Sequence, residues 1–123
     1  MTMVNVARFG DKAGIPVIFI NVSEDGDAMR LFIQRPGEAC FACYRPQALH
    51  AGQERRACTP VPAIADILHG AVGFAARAAV GELLGLPIGD FNLRDLTLSG
   101  FDIKNTVQRN PGCPLCGASN AAA

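Results

Sequence analysis

The sequence has no tryptophan, a single tyrosine and no excess of charge of either sign. Eleven basic residues balance eleven acidic ones, so no broad field attracts the chain to nucleic acid or to an anionic membrane. Its apolar run from Val17 to Ile20 is far shorter than the roughly 20 residues that a membrane helix needs. The first ten residues also lack the apolar segment of a signal peptide. We therefore expect a soluble, cytoplasmic protein whose partners recognise local surface.

Cysteine is the residue type whose spacing carries most information. Four of the five cysteines form two Cys-x-x-Cys pairs, Cys40 with Cys43 and Cys113 with Cys116. A two-residue gap lets one tight turn direct both sulfurs at one metal ion, and four thiolates suit a structural Zn²⁺ with no open position for catalysis. Disulfides, a thioredoxin-like redox pair and an iron centre remain alternatives. His50 could replace a cysteine ligand only if the four sulfurs did not complete the site.

The second pair is the more specific of the two. Its sequence, Cys-Pro-x-Cys-Gly, supplies a rigid entry to a turn, and Gly117 is free to adopt a positive φ beside the second sulfur. No helical pattern follows Cys40 or Cys113, which argues against a redox pair. Because 69 residues separate the pairs, whereas local zinc ribbons use roughly 15 to 20, a shared metal would join distant elements.

The apolar pattern predicts an α+β fold. Ile15 to Val22 reads as a strand buried on both faces, of the kind found in parallel sheets, with partners supplied from elsewhere. The turn after it leads into an alternating strand from Ala28 to Gln34, giving an antiparallel hairpin. A second hairpin is predicted from Phe91 to Leu98 and onward from Phe101. Residues 1–117 are expected to form one zinc-binding domain and residues 118–123 a flexible tail.

One long helix is predicted between the hairpins. It begins at Pro62, follows apolar residues at steps of three and four, and ends at Gly85. Its charged residues make it too polar for a membrane span, and its many small residues predict that another backbone lies against it. His69 within it is expected to be a structural histidine.

Cys58 is the predicted catalytic residue. It precedes the helix and follows Arg55 and Arg56, and both the helix dipole and the two cations favour a thiolate. The alternative is an idle or buried thiol.

The order of these features resembles the C-terminal half of the ThiF/MoeB/HesA adenylating enzymes, relatives of the ubiquitin-activating enzymes. The resemblance extends roughly from Gly14 to Gly117 and is strongest in Asn-Pro-Gly-Cys-Pro-x-Cys-Gly. It implies a Rossmann-like α/β domain as the complete fold and structural zinc on Cys40, Cys43, Cys113 and Cys116. It also implies a homodimer that uses ATP and Mg²⁺ to adenylate the C-terminus of a ubiquitin-like or sulfur-carrier protein, with Cys58 at the position of the thioester- or persulfide-forming cysteine.

The chain departs from that family in one decisive way. The family's glycine-rich nucleotide loop lies upstream of the matching region, and no Gly-x-Gly-x-x-Gly or Walker pattern occurs in these 123 residues. We therefore expect this chain to adenylate nothing by itself and to need an upstream nucleotide-binding domain. The alternative is a non-enzymatic zinc-binding dimerisation or interaction module.

Overall fold

The computed structural model describes residues 2–23, 26–50 and 65–117. Along these residues the elements follow in the order α1 (Met3–Ala13), β1 (Val17–Val22), β2 (Ala28–Gln34), α2 (Phe41–Tyr44), a 3₁₀ turn (Pro46–Leu49), α3 (Ala65–Leu84), β3 (Leu93–Thr97) and β4 (Asp102–Asn105). The strands form one sheet in the order β1-β2-β3-β4. The predicted α+β class, with two hairpins and one long helix, is confirmed.

The described residues group into two compact units. Residues 2–17, 34–50 and 107–117 make up the first, which we call the cysteine unit. Residues 18–23, 26–33 and 65–106 make up the second, which we call the sheet–helix unit.

The sheet–helix unit is built on one face of β2. Met29, Leu31 and Ile33 are at most 2% exposed, as the alternation in the sequence predicts. On the opposite face Phe32 and Gln34 are buried as well, so the polar face expected from the alternation is limited to Arg30. Met29, Leu31 and Ile33 pack against Ile67, Ala71 and Ala78 of α3. Full burial of one such large apolar side chain is worth about 1.5–3 kcal/mol, so this contact is the main source of stability in the unit.

The predicted second hairpin forms, and charged side chains pair across it. β3 pairs antiparallel with both β2 and β4. Arg94 binds Asp102 through two hydrogen bonds of 2.8 and 2.7 Å, and its guanidinium carbon lies 3.8 Å from the centre of the Phe74 ring on α3. Arg94 is thereby held on the helix side of the sheet.

β1 forms where a strand is predicted, but it is less buried than the sequence suggests. It lies at an edge of the sheet beside β2. Phe19 is buried, whereas Ile20 is 37% exposed. The continuous apolar sequence predicted burial on both faces; at an edge, the described residues cover it only in part.

α3 ends as predicted, at Gly85 in the left-handed conformation (φ 65°); the predicted start at Pro62 lies outside the described residues. Contrary to the sequence analysis, Ile67–Leu84 is long and apolar enough to cross a membrane. One face of the helix packs on β2, and 22% of this stretch is buried. A single helix that passes by length and composition alone is weak evidence and does not indicate a membrane protein. The small residues of α3 were predicted to lie against another backbone, but a Cβ on Gly81 would meet the Ile88 side chain at 2.3 Å, and one on Gly73 would meet nothing within 4 Å.

α1 has no counterpart in the sequence analysis. Its first turn is capped by Thr2, whose hydroxyl accepts a hydrogen bond from the Asn5 N–H at 3.3 Å. Gly14, with φ 65°, closes its C-terminus. Only Ala7 and Gly10 of this helix are buried. The sequence nevertheless carries a helical period, because Met3, Val6, Ala7 and Gly10 follow one another at steps of three and four, and the sequence analysis missed it.

Candidate metal centre

The first cysteine loop is shaped by a turn and by a single helical turn. Arg35 to Glu38 form the turn, with Gly37 at φ 80° and a hydrogen bond of 3.1 Å from the Glu38 N–H to the Arg35 carbonyl. Cys40 then caps α2, and Cys43 lies in that helix, its N–H 3.0 Å from the Cys40 carbonyl. The expectation that no helix follows Cys40, which was an argument against a redox pair, is therefore wrong. A single turn of helix suffices to place both sulfurs on one side.

The second loop is a tight knuckle between Asn110 and Gly117. The Cys113 N–H donates to the Asn110 carbonyl at 3.0 Å, and the Gly117 N–H donates to the Cys113 carbonyl at 2.8 Å. The Asn110 side chain accepts the Gly112 N–H at 2.9 Å. These bonds fix the directions of Cys113 and Cys116.

Gly117 is needed for a different reason from the one predicted. It is not among the glycines with positive φ. Instead, a Cβ at this position would lie 2.4 Å from the Cys113 carbonyl and 2.5 Å from the Pro111 carbonyl. Any side chain would force the knuckle open.

The two loops bring four sulfurs together. The Sγ atoms of Cys40, Cys43, Cys113 and Cys116 all lie within 4.8 Å of one another. The separations are 3.9 Å for Cys40–Cys43, 3.6 Å for Cys40–Cys113 and 3.5 Å for Cys43–Cys116. A tetrahedron with Zn–S bonds of about 2.3 Å has edges of about 3.8 Å, so the donor set fits a zinc ion. All four cysteines are free, and the separations far exceed the roughly 2.05 Å of a disulfide.

The environment of the sulfurs explains why a cation is needed there. Burial raises the pKa of Cys116 to about 11 and, together with hydrogen bonds from neighbouring thiols, raises that of Cys40 further. Burial acts in the same sense on Cys113, but the backbone N–H groups of Cys116 and Leu115 outweigh it and lower the pKa of that thiol. Four closely spaced thiolates, three of them buried, would repel one another without a countercharge, and a divalent cation would remove that penalty.

Two polar side chains that the sequence analysis missed hold the loops. Gln34, 2% exposed, donates to the Ala7 carbonyl at 2.8 Å and accepts the Phe41 N–H at 2.9 Å, next to Cys40. Arg109 donates to the Gly37 carbonyl at 2.9 Å and to the Cys116 carbonyl. Arg109 directly precedes the Asn-Pro-Gly-Cys turn, and Gln34 ends an otherwise apolar strand; neither position carries a pattern that predicts these contacts.

Of the other predicted residues, the two that the structure describes, His50 and His69, lie outside the four-sulfur cluster. Cys58 lies outside the described residues, so its proposed role stays a prediction. His50 follows the 3₁₀ turn and is not part of the four-sulfur set. His69 is exposed on α3.

Comparison with solved structures places the fold among known proteins. E. coli MccB with MccA-N7isoASN is 18% identical, with a TM-score of 0.69 over 94% of this chain and 37% of that chain. E. coli MccB alone is 16% identical, with a TM-score of 0.70 over 94% and 35%. The Microcin C7 biosynthetic enzyme MccB with N-formylated MccA is 16% identical, with a TM-score of 0.62 over 93% and 37%.

These similarities establish the fold of the described chain. The chain spans about a third of the length of the MccB chains that it matches. No protein-family model matches the sequence, and no curated protein matches it.

Proposed function

We propose that this chain is the zinc-binding C-terminal region of a ThiF/MoeB-type adenylating enzyme. The observation that carries the proposal is the convergence of four sulfurs from two distant loops, within a fold similar to that of E. coli MccB. Cys40, Cys43, Cys113 and Cys116 would hold the ion. Because four cysteines fill a tetrahedral site, the ion would hold the loops in place and would not bind substrate.

The proposed reaction is ATP-dependent adenylation of the C-terminus of a ubiquitin-like or sulfur-carrier protein. MccB is known in structures with ATP and with N-formylated MccA, which supports a nucleotide and a peptide as ligands for enzymes of this fold. The chain itself contains no glycine-rich nucleotide loop. ATP and Mg²⁺ would therefore bind only with an additional nucleotide-binding domain. The Cys58 thiolate would displace AMP from the acyl adenylate and form a thioester, or a persulfide loaded onto Cys58 by a separate sulfur donor would displace AMP with its outer sulfur.

ATP–pyrophosphate exchange tests this assignment. The 123-residue chain alone should show no exchange, and exchange should appear when a nucleotide-binding domain of the same family is supplied with a carrier protein. Exchange by the isolated chain would contradict the proposed division of labour. Failure of every combination would favour the second candidate below.

Cys58 is tested by the pH dependence of its alkylation. In the zinc-loaded chain, the ion protects the other four thiols from alkylation. Cys58 should then react faster at neutral pH than an unperturbed thiol, because Arg55 and Arg56 favour its thiolate. A rate profile like that of a free cysteine would remove the nucleophile assignment.

A non-enzymatic zinc-binding dimerisation module is the second candidate. It is favoured by the missing nucleotide loop and by the apolar side chains that α3 exposes, among them Val72 at 67% and Leu83 at 79%. Such a surface on a single chain is typical of a site covered by another protein. A homodimer in solution is proposed under either candidate, and sedimentation of the zinc-loaded chain tests it.

A further inference from the structure

We infer that Arg109 is a positioning residue for the metal centre, which joins the two cysteine loops before the ion binds. The inference rests on the proposed metal site and adds a residue outside the ligand set. Arg109 donates from one guanidinium nitrogen to the Gly37 carbonyl at 2.9 Å and from another to the Cys116 carbonyl. The first acceptor belongs to the loop of Cys40 and Cys43, and the second belongs to a ligand residue of the other pair.

Both acceptors are fixed in space, so that the bridge constrains the loops. Gly37 is the third residue of the turn from Arg35 to Glu38, with Pro36 before it and φ 80°, the geometry of a type II turn. The Cys116 carbonyl belongs to the knuckle that the bond from Gly117 N–H to Cys113 closes. A guanidinium with donors in a rigid fork can hold two such carbonyls at once.

The bridge reduces the entropy that metal binding must overcome. Gly37 and Arg109 are 72 positions apart in the sequence, and bringing distant segments together costs conformational entropy. Without Arg109, only the 3.5 Å hydrogen bond from the Asn110 N–H to the Cys43 Sγ, the weak contacts among the thiols and the ion itself would hold the loops together. With it, the four sulfurs are already close when the ion arrives.

The charge of Arg109 acts in the same direction. Four thiolates and one divalent cation leave a net charge of minus two, and a guanidinium that bonds the carbonyl of a ligand residue lies near that charge. Residues of this kind, which orient ligands without touching the metal, typically change metal affinity by about 10- to 100-fold when substituted.

The experiment measures zinc affinity of the full chain by competition with a chromophoric chelator. It compares wild type with two variants. Arg109→Gln loses both the positive charge and the forked set of N–H donors, and Arg109→Lys keeps the charge but cannot span two carbonyls. Arg8→Gln is the matched control, because it removes one exposed charge in the same unit and has no ion-pair partner among the described residues. Both Arg109 variants should bind zinc about 10- to 100-fold more weakly, and Arg8→Gln should match wild type.

Cobalt substitution separates positioning from damage to the site. The Co²⁺ forms of the Arg109 variants should keep the absorption bands of a tetrahedral tetrathiolate centre, because all four ligands remain. Wild-type affinity in Arg109→Lys would overturn the bridging role, and wild-type affinity in both variants would overturn any role. If Arg109→Gln does not fold, Arg109→Lys decides the same comparison. Zinc-free wild-type protein would instead overturn the metal site itself, a separate result.

Discussion

The cysteine unit and the sheet–helix unit are stabilised by different physical means. In the sheet–helix unit, large apolar side chains such as Met29, Leu31 and Ile33 are buried against α3. In the cysteine unit, the buried side chains are mostly small or sulfur-containing. Gln34 ties the first cysteine loop to α1, and Arg109 and the four thiols join the two loops. A unit with so little apolar volume depends more on a metal or another cross-link for its stability.

The largest effect is expected from the loss of a metal ligand in the cysteine unit. Cys113→Ser should abolish zinc binding and lower the free energy of unfolding by about 4 kcal/mol or more, the range associated with loss of a structural metal. Elemental analysis and thermal unfolding measure the two effects. Cys58→Ser is the control and should keep full zinc content, since Cys58 is outside the ligand set. Zinc loss in both variants would contradict the assignment of ligands.

A core substitution should affect stability without affecting the metal. Leu31→Ala removes a side chain that is 2% exposed and packed against α3, at an expected cost of about 2–5 kcal/mol. Zinc stoichiometry measured below the unfolding temperature should stay at the wild-type value. Ile103→Ala, at a position that is 49% exposed, should change the unfolding free energy by less than about 0.5 kcal/mol. Equal losses in the two variants would contradict the core assignment.

Substitution of Gln34 tests how much its hydrogen bonds stabilise the cysteine unit. Gln34→Ala leaves the Ala7 carbonyl and the Phe41 N–H without their side-chain partner, at an expected cost of about 1–3 kcal/mol. Urea unfolding of the zinc-loaded protein measures it. Gln47→Ala, at an exposed position, should be neutral. An unchanged free energy of unfolding in Gln34→Ala would show that these two hydrogen bonds do not stabilise the unit.

The smallest effect belongs to the surface of the sheet–helix unit. The hydrogen bonds from Arg94 lower the pKa of Asp102. A lowered pKa contributes stability above the ordinary value of about 4, and this contribution is lost as the pH falls through the lowered pKa. Asp102→Asn should cost less than about 1 kcal/mol at pH 7. The difference from wild type should shrink below about pH 4, and a difference that persists there would contradict this origin.

The difference between the two units also explains which features can be predicted from the sequence. Alternation at Met29, Leu31 and Ile33 predicts β2 and its buried face because a large apolar core imposes a period. The spacing of the four cysteines predicts the candidate ligand set because two sulfurs per turn is a local property. Both predictions depend on the spacing of residues that lie within a few positions of one another.

The missed features depend on contacts between distant positions. α1 is the exception, because Met3, Val6, Ala7 and Gly10 follow a helical period and the helix could have been predicted from the sequence. The role of Gly117 depends on the approach of the Cys113 and Pro111 carbonyls, not on its own φ. Gln34 and Arg109 act through backbone carbonyls and N–H groups, which any sequence supplies, so their partners cannot be read from residue types.

X-ray absorption at the zinc edge of the purified wild-type chain tests the central claim most directly. The account predicts one zinc per chain with four sulfur neighbours at about 2.3 Å and no nitrogen or oxygen in the first coordination shell. A chain without metal, or a zinc ion with fewer than four sulfur ligands, would contradict it.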